Sequence, residues 1–368
     1  MNPVLLHFLA VVFSFFLAHQ TEWDRPVPAV DVGHYRFDLS LTDSVDQITG
    51  KAGITVTFRE SGVESFDLDL VGRESGGETG MTVERVTREG RDLRHIHAGH
   101  KLSVFTAPTP EIGEERTYQV DYRGIPADGL IIGRNMYGDR TFFGDNWPER
   151  ARHWLPTVDH PSDKATVEWV VTAPSHYQVV ANGRRLESRD LENGEKLTRW
   201  ATAAPIPTKV MVIGVARFAV DTSGTVGEVP VEAWVYPQNR REGFSDFARA
   251  TRALRFFHER VGPFPYQKLA NVQSKTRYGG MENAGAIFYS ERAVRGDGRN
   301  ESLIVHEVAH QWFGDSVTEC DWPHIWLSEG FATYMTHLYM EETYGPEMLI
   351  SGMERDRRTI RRFHAQYP

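Results

Sequence analysis

Residues 34–41 read HYRFDLSL, with Tyr35, Phe37, Leu39 and Leu41 alternating against His34, Arg36, Asp38 and Ser40. A period of two puts the apolar set on one face of a half-buried β-strand. GITVTF repeats the pattern with Ile54, Val56 and Phe58, and ESFDLDL repeats it with Phe66, Leu68 and Leu70. ATVEWVVTA, YQVVANG and TKVMVIGVARFAV extend the series, with Gly- or Pro-bearing turns between them. Residues 30–230 therefore predict a largely antiparallel β region.

The period changes after about residue 240. FSDFARATRALRFFHERVG spaces Phe244, Phe247, Ala250 and Ala253–Leu254 along one stripe and stops at Gly262–Pro263, which predicts an amphipathic helix closed by a breaker. LANVQSKTRYGGMENAGAIFYS reads as strand, loop, strand, and two apolar helices follow around 302–313 and 326–343. The expectation is an α+β protein of several domains: an N-terminal antiparallel β domain over 21–218, then a second domain over 219–368.

The first twenty residues carry a third texture. The apolar run Phe8–Ala18 is broken only by Ser14; it is too short to span a bilayer and fits the hydrophobic region of a secretory signal. No Lys or Arg precedes Arg25, and a buried strand or helix is the other reading of the run. Export to the periplasm or medium is the expected destination, with the cytoplasm as alternative and no stable membrane span.

Composition narrows the chemistry. The 368 residues are 40% hydrophobic and 25% charged, which is globular, and the net charge of −9 argues against a nucleic-acid partner. Cys320 is the only cysteine, so an internal disulfide and a thiolate metal cluster are both excluded. Its own reading stays open between a small packed residue and an exposed thiol. Any metal must sit on histidine and carboxylate ligands.

The stretch HEVAHQWFGDSVTECDWPHIWLSEG, residues 306–330, offers such ligands. On an α-helix, residues four apart differ by about 40° in azimuth, so His306 and His310 point the same way. Leu303, Ile304, Val305, Val308, Ala309, Trp312 and Phe313 make this helix apolar nearly all round, which predicts burial. Two buried imidazoles and a carboxylate need a partner, and a cation serves all three. Glu329 follows His310 after eighteen intervening residues, on a second helix flanked by Trp326, Leu327, Phe331 and Tyr334, and a buried setting is expected for it too. Two histidines and a glutamate, with one position left for water, form a catalytic rather than a structural zinc site. Glu307 need not ligate and is placed as general acid/base. One Zn2+ per chain is expected, with cobalt or manganese as replacements.

In YGGMENAGAIFYS, residues 278–290, Gly279–Gly280 followed by Asn283 reads by itself as an ordinary turn; beside a zinc site, the glycines let a substrate backbone approach closely and an adjacent strand can pair with it. Glu282 offers a carboxylate to a positively charged group.

GGMEN, then HEVAH, then WLSEGFATY resembles the aminopeptidase N family of zinc exopeptidases, which also includes leukotriene hydrolase. The likeness runs from about residue 30 to 345, with RARHWLPTVDHPSDKATVEWVV, VVANGRRLE and PIPTKVMVIGVARF similar to stretches of the family's β domain. It implies a saddle-shaped β domain followed by a thermolysin-like catalytic domain. It implies zinc on His306, His310 and Glu329, with Glu307 as catalytic acid/base. It also implies that Glu282 anchors a peptide's free α-amino group, with Gly279, Gly280, Met281 and Asn283 lining the substrate. The expected partners are peptides with a free N-terminus.

The chain departs from the family at several places. Ser328 and Asp315 stand where Asn is commoner, and Asp145–Trp147 falls where the family often has Gln or Glu helping to hold the amine. Trp147 cannot accept a hydrogen bond from an ammonium; it either offers a cation–π face or packs as a loop tryptophan. The family's oxyanion-binding tyrosine would fall beyond residue 368, so a catalytic domain truncated at its C-terminus is expected. The competing readings are a catalytically incomplete peptide-binding fragment of the same fold and an epoxide hydrolase on the same metal.

Overall fold

The computed structural model describes residues 29–367, and the apolar run assigned to a signal lies outside them. Tyr35, Phe37 and Leu39 are buried on one face of the strand Val30–Ser40, as the alternation requires. That strand is central to a nine-stranded sheet, pairing antiparallel with Ile48–Phe58 and parallel with Lys164–Pro174, from His34 opposite Thr166 to Ser40 opposite Thr172. The parallel pair is one the local pattern could not show, because alternation reports a strand's faces and not its neighbour's direction. The inner face carries large rings: Phe37 lies 5.1 Å from Trp169, which stacks on Trp154 at 5.8 Å. Each fully buried ring of this kind contributes roughly 1.5–3 kcal/mol relative to exposure.

Two smaller sheets complete this region. One holds Ser65–Asp69, Lys101–Phe105 and His95–Ala98; the other runs in the order Gln178–Ala181, Ile213–Ala216, Arg140–Gly144, Leu130–Arg134. The stretch 208–220, expected as one strand, is divided instead. A 3-10 turn at Thr208–Val210 precedes Ile213–Ala216, and Ala219–Val226 opens a different sheet.

That sheet has the order Ala219–Val226, Val229–Val235, Leu269–Ser274, Ala286–Ser290, Gly280–Met281 and is mixed, parallel in its two central pairings. The helical stripe after residue 240 forms two segments, α1 (Arg240–Phe247) and α2 (Arg249–Arg260), which bury Phe247, Ala250, Ala253, Leu254 and Phe257 on the sheet. α3 (Glu301–His310), α4 (Trp326–Tyr344) and α5 (Pro346–Gln366) follow. Two apolar cores result, and the first does not stop at the β region. It continues into Ala270, Val272, Ala286 and Phe288, with Phe143 meeting Phe288 edge-on at 5.6 Å. The strands beside the candidate site are thereby braced from both sides. Among the described residues no helix is long and apolar enough to cross a membrane.

α4 differs from its expected burial. It buries Ser328, Ala332, Thr336, His337 and Tyr339, while Trp326 (58% exposed), Leu327, Phe331 and Tyr334 face outward. Small and polar residues allow the close approach to α3, while Phe331, though partly exposed, stacks on Phe313 at 5.4 Å.

Candidate active site

α3 is held at its start by charge. The Glu301 carboxylate is bonded by Arg252 and by the hydroxyls of Tyr339 (2.9 Å) and Tyr344, so α2, α3 and α4 meet at one acidic group. One helical turn brings His306 and His310 together at the far end, with their Nε2 atoms 3.0 Å apart. The first turn of α4 then supplies Glu329, whose Oε2 is 3.5 Å from His306 Nε2 and 3.6 Å from His310 Nε2. Ligand bonds of 2.0–2.1 Å in a tetrahedron imply edges of about 3.3–3.4 Å. The three donors fit a tetrahedral divalent metal.

His310, the more buried of the two histidines, is oriented by its other ring nitrogen. His310 Nδ1 lies 3.0 Å from the carbonyl of Phe313, and the hydroxyl of Ser328 is 3.1 Å from the same nitrogen. A proton on Nδ1 donating to that carbonyl fixes the ring plane and turns Nε2 toward Glu329. Ser328 reaches this position only because residue 314 is glycine. It adopts φ +123°, and a Cβ there would run into the Ser328 hydroxyl.

Glu307 points to the other side of the site and is 4% exposed. Burial raises its carboxyl well above the usual range; His310 opposes this, and the Glu282 and Glu329 carboxylates reinforce it. Donor atoms of Glu282, Glu307 and His310 all lie within 4.8 Å of one another. Burial alone would lower the His310 imidazole, but Glu329 and Glu282 outweigh it and push it up to about 10. Glu329 is half-buried where full burial was expected, and the same imidazoles hold it well below the usual carboxylate range against the desolvation that opposes them. The site gathers the carboxylates of Glu282, Glu307 and Glu329 around two imidazoles, a donor set suited to a cation.

Of the GGMEN residues, Gly280 and Met281 pair with Tyr289 and Phe288 as a short edge strand. A Cβ at Gly280 would collide with the Glu307 carboxylate, so glycine is what lets this strand lie against α3. Gly279 is half-buried, while Met281, Glu282 and Asn283 are buried. Glu282 Oε1 and both polar atoms of the Asn283 side chain lack a hydrogen-bond partner among the described residues.

Sequence reasoning passed over the charges behind this loop. Lys209, from the 3-10 turn before the strand Ile213–Ala216, pairs with Glu319 at 2.5 Å, with side chains 1% and 0% exposed. Burial pulls the Lys209 amine down, yet Glu319, Glu282 and Asp315 more than offset that and hold it above its usual range. The carboxylate of Asp315 is buried without a hydrogen-bond partner among the described residues; burial first, then Glu282, raises it far above the ordinary value. A lone lysine inside the apolar run PIPTKVMVIG was the one available signal. Trp147 is 5% exposed and packs edge-on against Tyr278 (5.5 Å) and Trp322 (6.2 Å), which is the environment of a packed loop tryptophan. Cys320 is exposed.

Comparisons with known proteins agree with this construction. Residues 32–210 match the peptidase M1 N-terminal domain, and residues 246–365 match the peptidase family M1 domain. The leucyl aminopeptidase of Saccharolobus solfataricus is 28% identical over 331 residues, 86% of this chain and 40% of that protein. Probable aminopeptidase 2 of Sulfurisphaera tokodaii is 29% identical over 205 residues, 53% of this chain and 26% of the relative. The chain thus spans roughly a quarter to two fifths of the length of these relatives. The crystal structure of an M1 zinc metallopeptidase from Deinococcus radiodurans superposes with a TM-score of 0.72 at 27% identity, covering 86% of this chain and 71% of that one. Native yeast LTA4 hydrolase shares the fold, with a TM-score of 0.77 at 20% identity over 92% of this chain and 54% of that one. With both domain models matched in order along one chain, and with the donor geometry above, this protein belongs to the peptidase M1 family.

Proposed function

We propose that this chain carries the catalytic site of a zinc-dependent aminopeptidase, which removes the first residue of peptides that have a free N-terminus. The observation that carries the reading is the triangle of His306, His310 and Glu329 donors at 3.0, 3.5 and 3.6 Å, with the Glu307 and Glu282 carboxylates beside it. Zinc is the metal in the name of the Deinococcus neighbour, another structure of which is described as bound to a Tyr-Ser-Ala substrate. The donor set, two imidazoles and one carboxylate, matches a catalytic zinc site.

When bound, zinc supplies Lewis-acid polarisation of a peptide carbonyl and makes water more acidic. The residues of the chain do the rest. Glu307, buried and close to the donors, takes a proton at its carboxylate and returns it to the leaving amine nitrogen. Glu282 presents an uncompensated carboxylate oxygen where a substrate's α-ammonium supplies the missing donor. The edge strand Gly280–Met281 offers backbone for an extended peptide to lie along. The anchor and donors together select the first peptide bond. The apolar run Phe8–Ala18 supports export of the protein, which cell fractionation tests.

The decisive measurement is hydrolysis of alanyl- and leucyl-arylamides by the zinc-loaded chain, with and without chelator, beside their N-acetylated forms. Chelator-sensitive cleavage confined to free amines is expected. Cleavage of both forms alike overturns the aminopeptidase reading, and no cleavage with one zinc bound favours a peptide-binding fragment instead.

A further inference from the structure

We infer that Gln311 is a positioning residue that sets the distance between the amine anchor and the metal donors; this rests on Glu282 being that anchor, as proposed above. Gln311 follows His310 at the end of α3 and is fully buried. Both ends of its amide are used on one loop: Nε2 donates to the carbonyl of Glu282 at 2.7 Å, and Oε1 accepts from the N–H of Gly285 at 2.7 Å. A glutamate of the same length would set an acceptor against the Glu282 carbonyl. A methionine would satisfy neither group.

The rest of the loop is gripped from other directions. Asn182, from the β region, donates to the carbonyls of Ala284 at 2.9 Å and Val210 at 2.8 Å. Lys268 donates to the carbonyls of Gly285 at 2.8 Å and Ala181 at 2.9 Å. Both side chains are buried. Three carbonyls around the anchor, those of Glu282, Ala284 and Gly285, are thus each bonded by a buried side chain, and an unbonded one would be costly at this depth.

Of the three gripping residues, Gln311 is the one on the helix of His306 and His310. Asn182 and Lys268 tie the loop to the sheets; Gln311 relates it to the metal donors. Because Glu282 Oε1 has no hydrogen-bond partner among the described residues, the backbone held by Gln311 governs where that carboxylate oxygen sits. Discrimination for a free amine depends on this spacing, since the ammonium and the scissile carbonyl are separated by one residue of fixed length.

The test uses Gln311→Met and Gln311→Glu in the 368-residue chain, with three readouts. Backbone hydrogen exchange over residues 280–286 is measured on the zinc-free protein. Zinc affinity is measured by competition with a chelating dye. Rates are measured on leucyl-arylamide and on its N-acetyl form. For Gln311→Met, exchange at Gly285 rises about tenfold or more, zinc affinity stays within about threefold, and KM for the free amine rises about tenfold with a smaller change in kcat. Gln311→Glu keeps the acceptor for Gly285, so exchange there is unchanged while KM still rises; it also carries the test if Gln311→Met fails to fold. Unchanged exchange in Gln311→Met, a fall in kcat with KM intact, or activity lost in step with zinc overturns the inference. If the wild-type chain itself does not prefer the free amine, the anchor reading fails and the ruler role falls with it, while exchange still decides whether Gln311 holds the loop.

Discussion

Lys209 Nζ and Glu319 Oε1 meet at 2.5 Å in a setting from which water is excluded, 110 residues apart in the chain. The lysine comes from the 3-10 turn Thr208–Val210 of the β region and the glutamate from the loop joining α3 to α4. Two charges at this depth forfeit hydration, and their mutual attraction returns it only while both are present. Lys209→Met should therefore destabilise the protein by about 3–5 kcal/mol, since it strands Glu319. The double variant Lys209→Met with Glu319→Met should recover more than half of that loss. Denaturant unfolding of the wild type, both single variants and the double variant closes the cycle, and a double variant no better than the singles contradicts the expectation.

Ser328 and Glu307 should separate metal binding from catalysis. Ser328→Ala removes the hydroxyl 3.1 Å from His310 Nδ1 and should weaken zinc about tenfold, the scale of a lost partner to a ligating histidine. Glu307→Gln removes no proposed ligand. It should bind zinc nearly as the wild type does and lose about 10²–10⁴ in kcat, as expected for an absent proton acceptor. Zinc titration beside steady-state kinetics distinguishes the two patterns.

Gly280→Ala should act on the reaction from the neighbouring strand. The added methyl meets the Glu307 carboxylate, and either the strand or the glutamate must move. A displacement of about 1 Å at such a group costs on the order of 10² in rate. Zinc content and melting temperature should change little, and turnover close to the wild type would show that Glu307 has room to shift.

Asp163 should make stability fall between pH 4 and pH 7. It is buried and accepts one long bond from the N–H of Val32 (3.5 Å), while its Oδ1 has no hydrogen-bond partner among the described residues. Burial, helped by nearby Asp31, pushes its carboxyl up to about 7. A carboxyl whose folded value is raised contributes stability in full below its unfolded value near 4, and that contribution is lost as pH rises through 7. Asp163→Asn keeps an acceptor for Val32 without an ionisation. It should stabilise the protein by roughly 2 kcal/mol at pH 8 and change little at pH 4. Denaturation at both pH values checks the sign.

Much of the architecture was legible because strands and helices are local. Alternation over residues 34–41 reports two faces of a strand wherever that strand is placed, and the stripe of Phe244, Phe247, Ala250 and Ala253–Leu254 reports one face of α1 and α2, with Phe244 the least buried of the set. The same locality explains the failures. Trp326, Leu327, Phe331 and Tyr334 looked like a burying set for α4, yet the packed face is Ser328, Ala332 and Thr336, because small residues admit the close approach of α3. The parallel pairing of Val30–Ser40 with Lys164–Pro174 joins segments more than a hundred residues apart, which no local period encodes.

By itself, the order of residues determined which groups can share a face. His306 and His310 lie one helical turn apart and must point together, Glu307 must point elsewhere, and the glycines before Glu282 must permit close approach. Tertiary structure decided the distances. It brought Glu329 to 3.5 and 3.6 Å from the histidines, bonded Gln311 to the loop that carries Glu282, and enclosed Lys209 with Glu319. The physical reason is that backbone geometry fixes directions within a few residues, whereas separations between elements follow from which side chains fill the space between them.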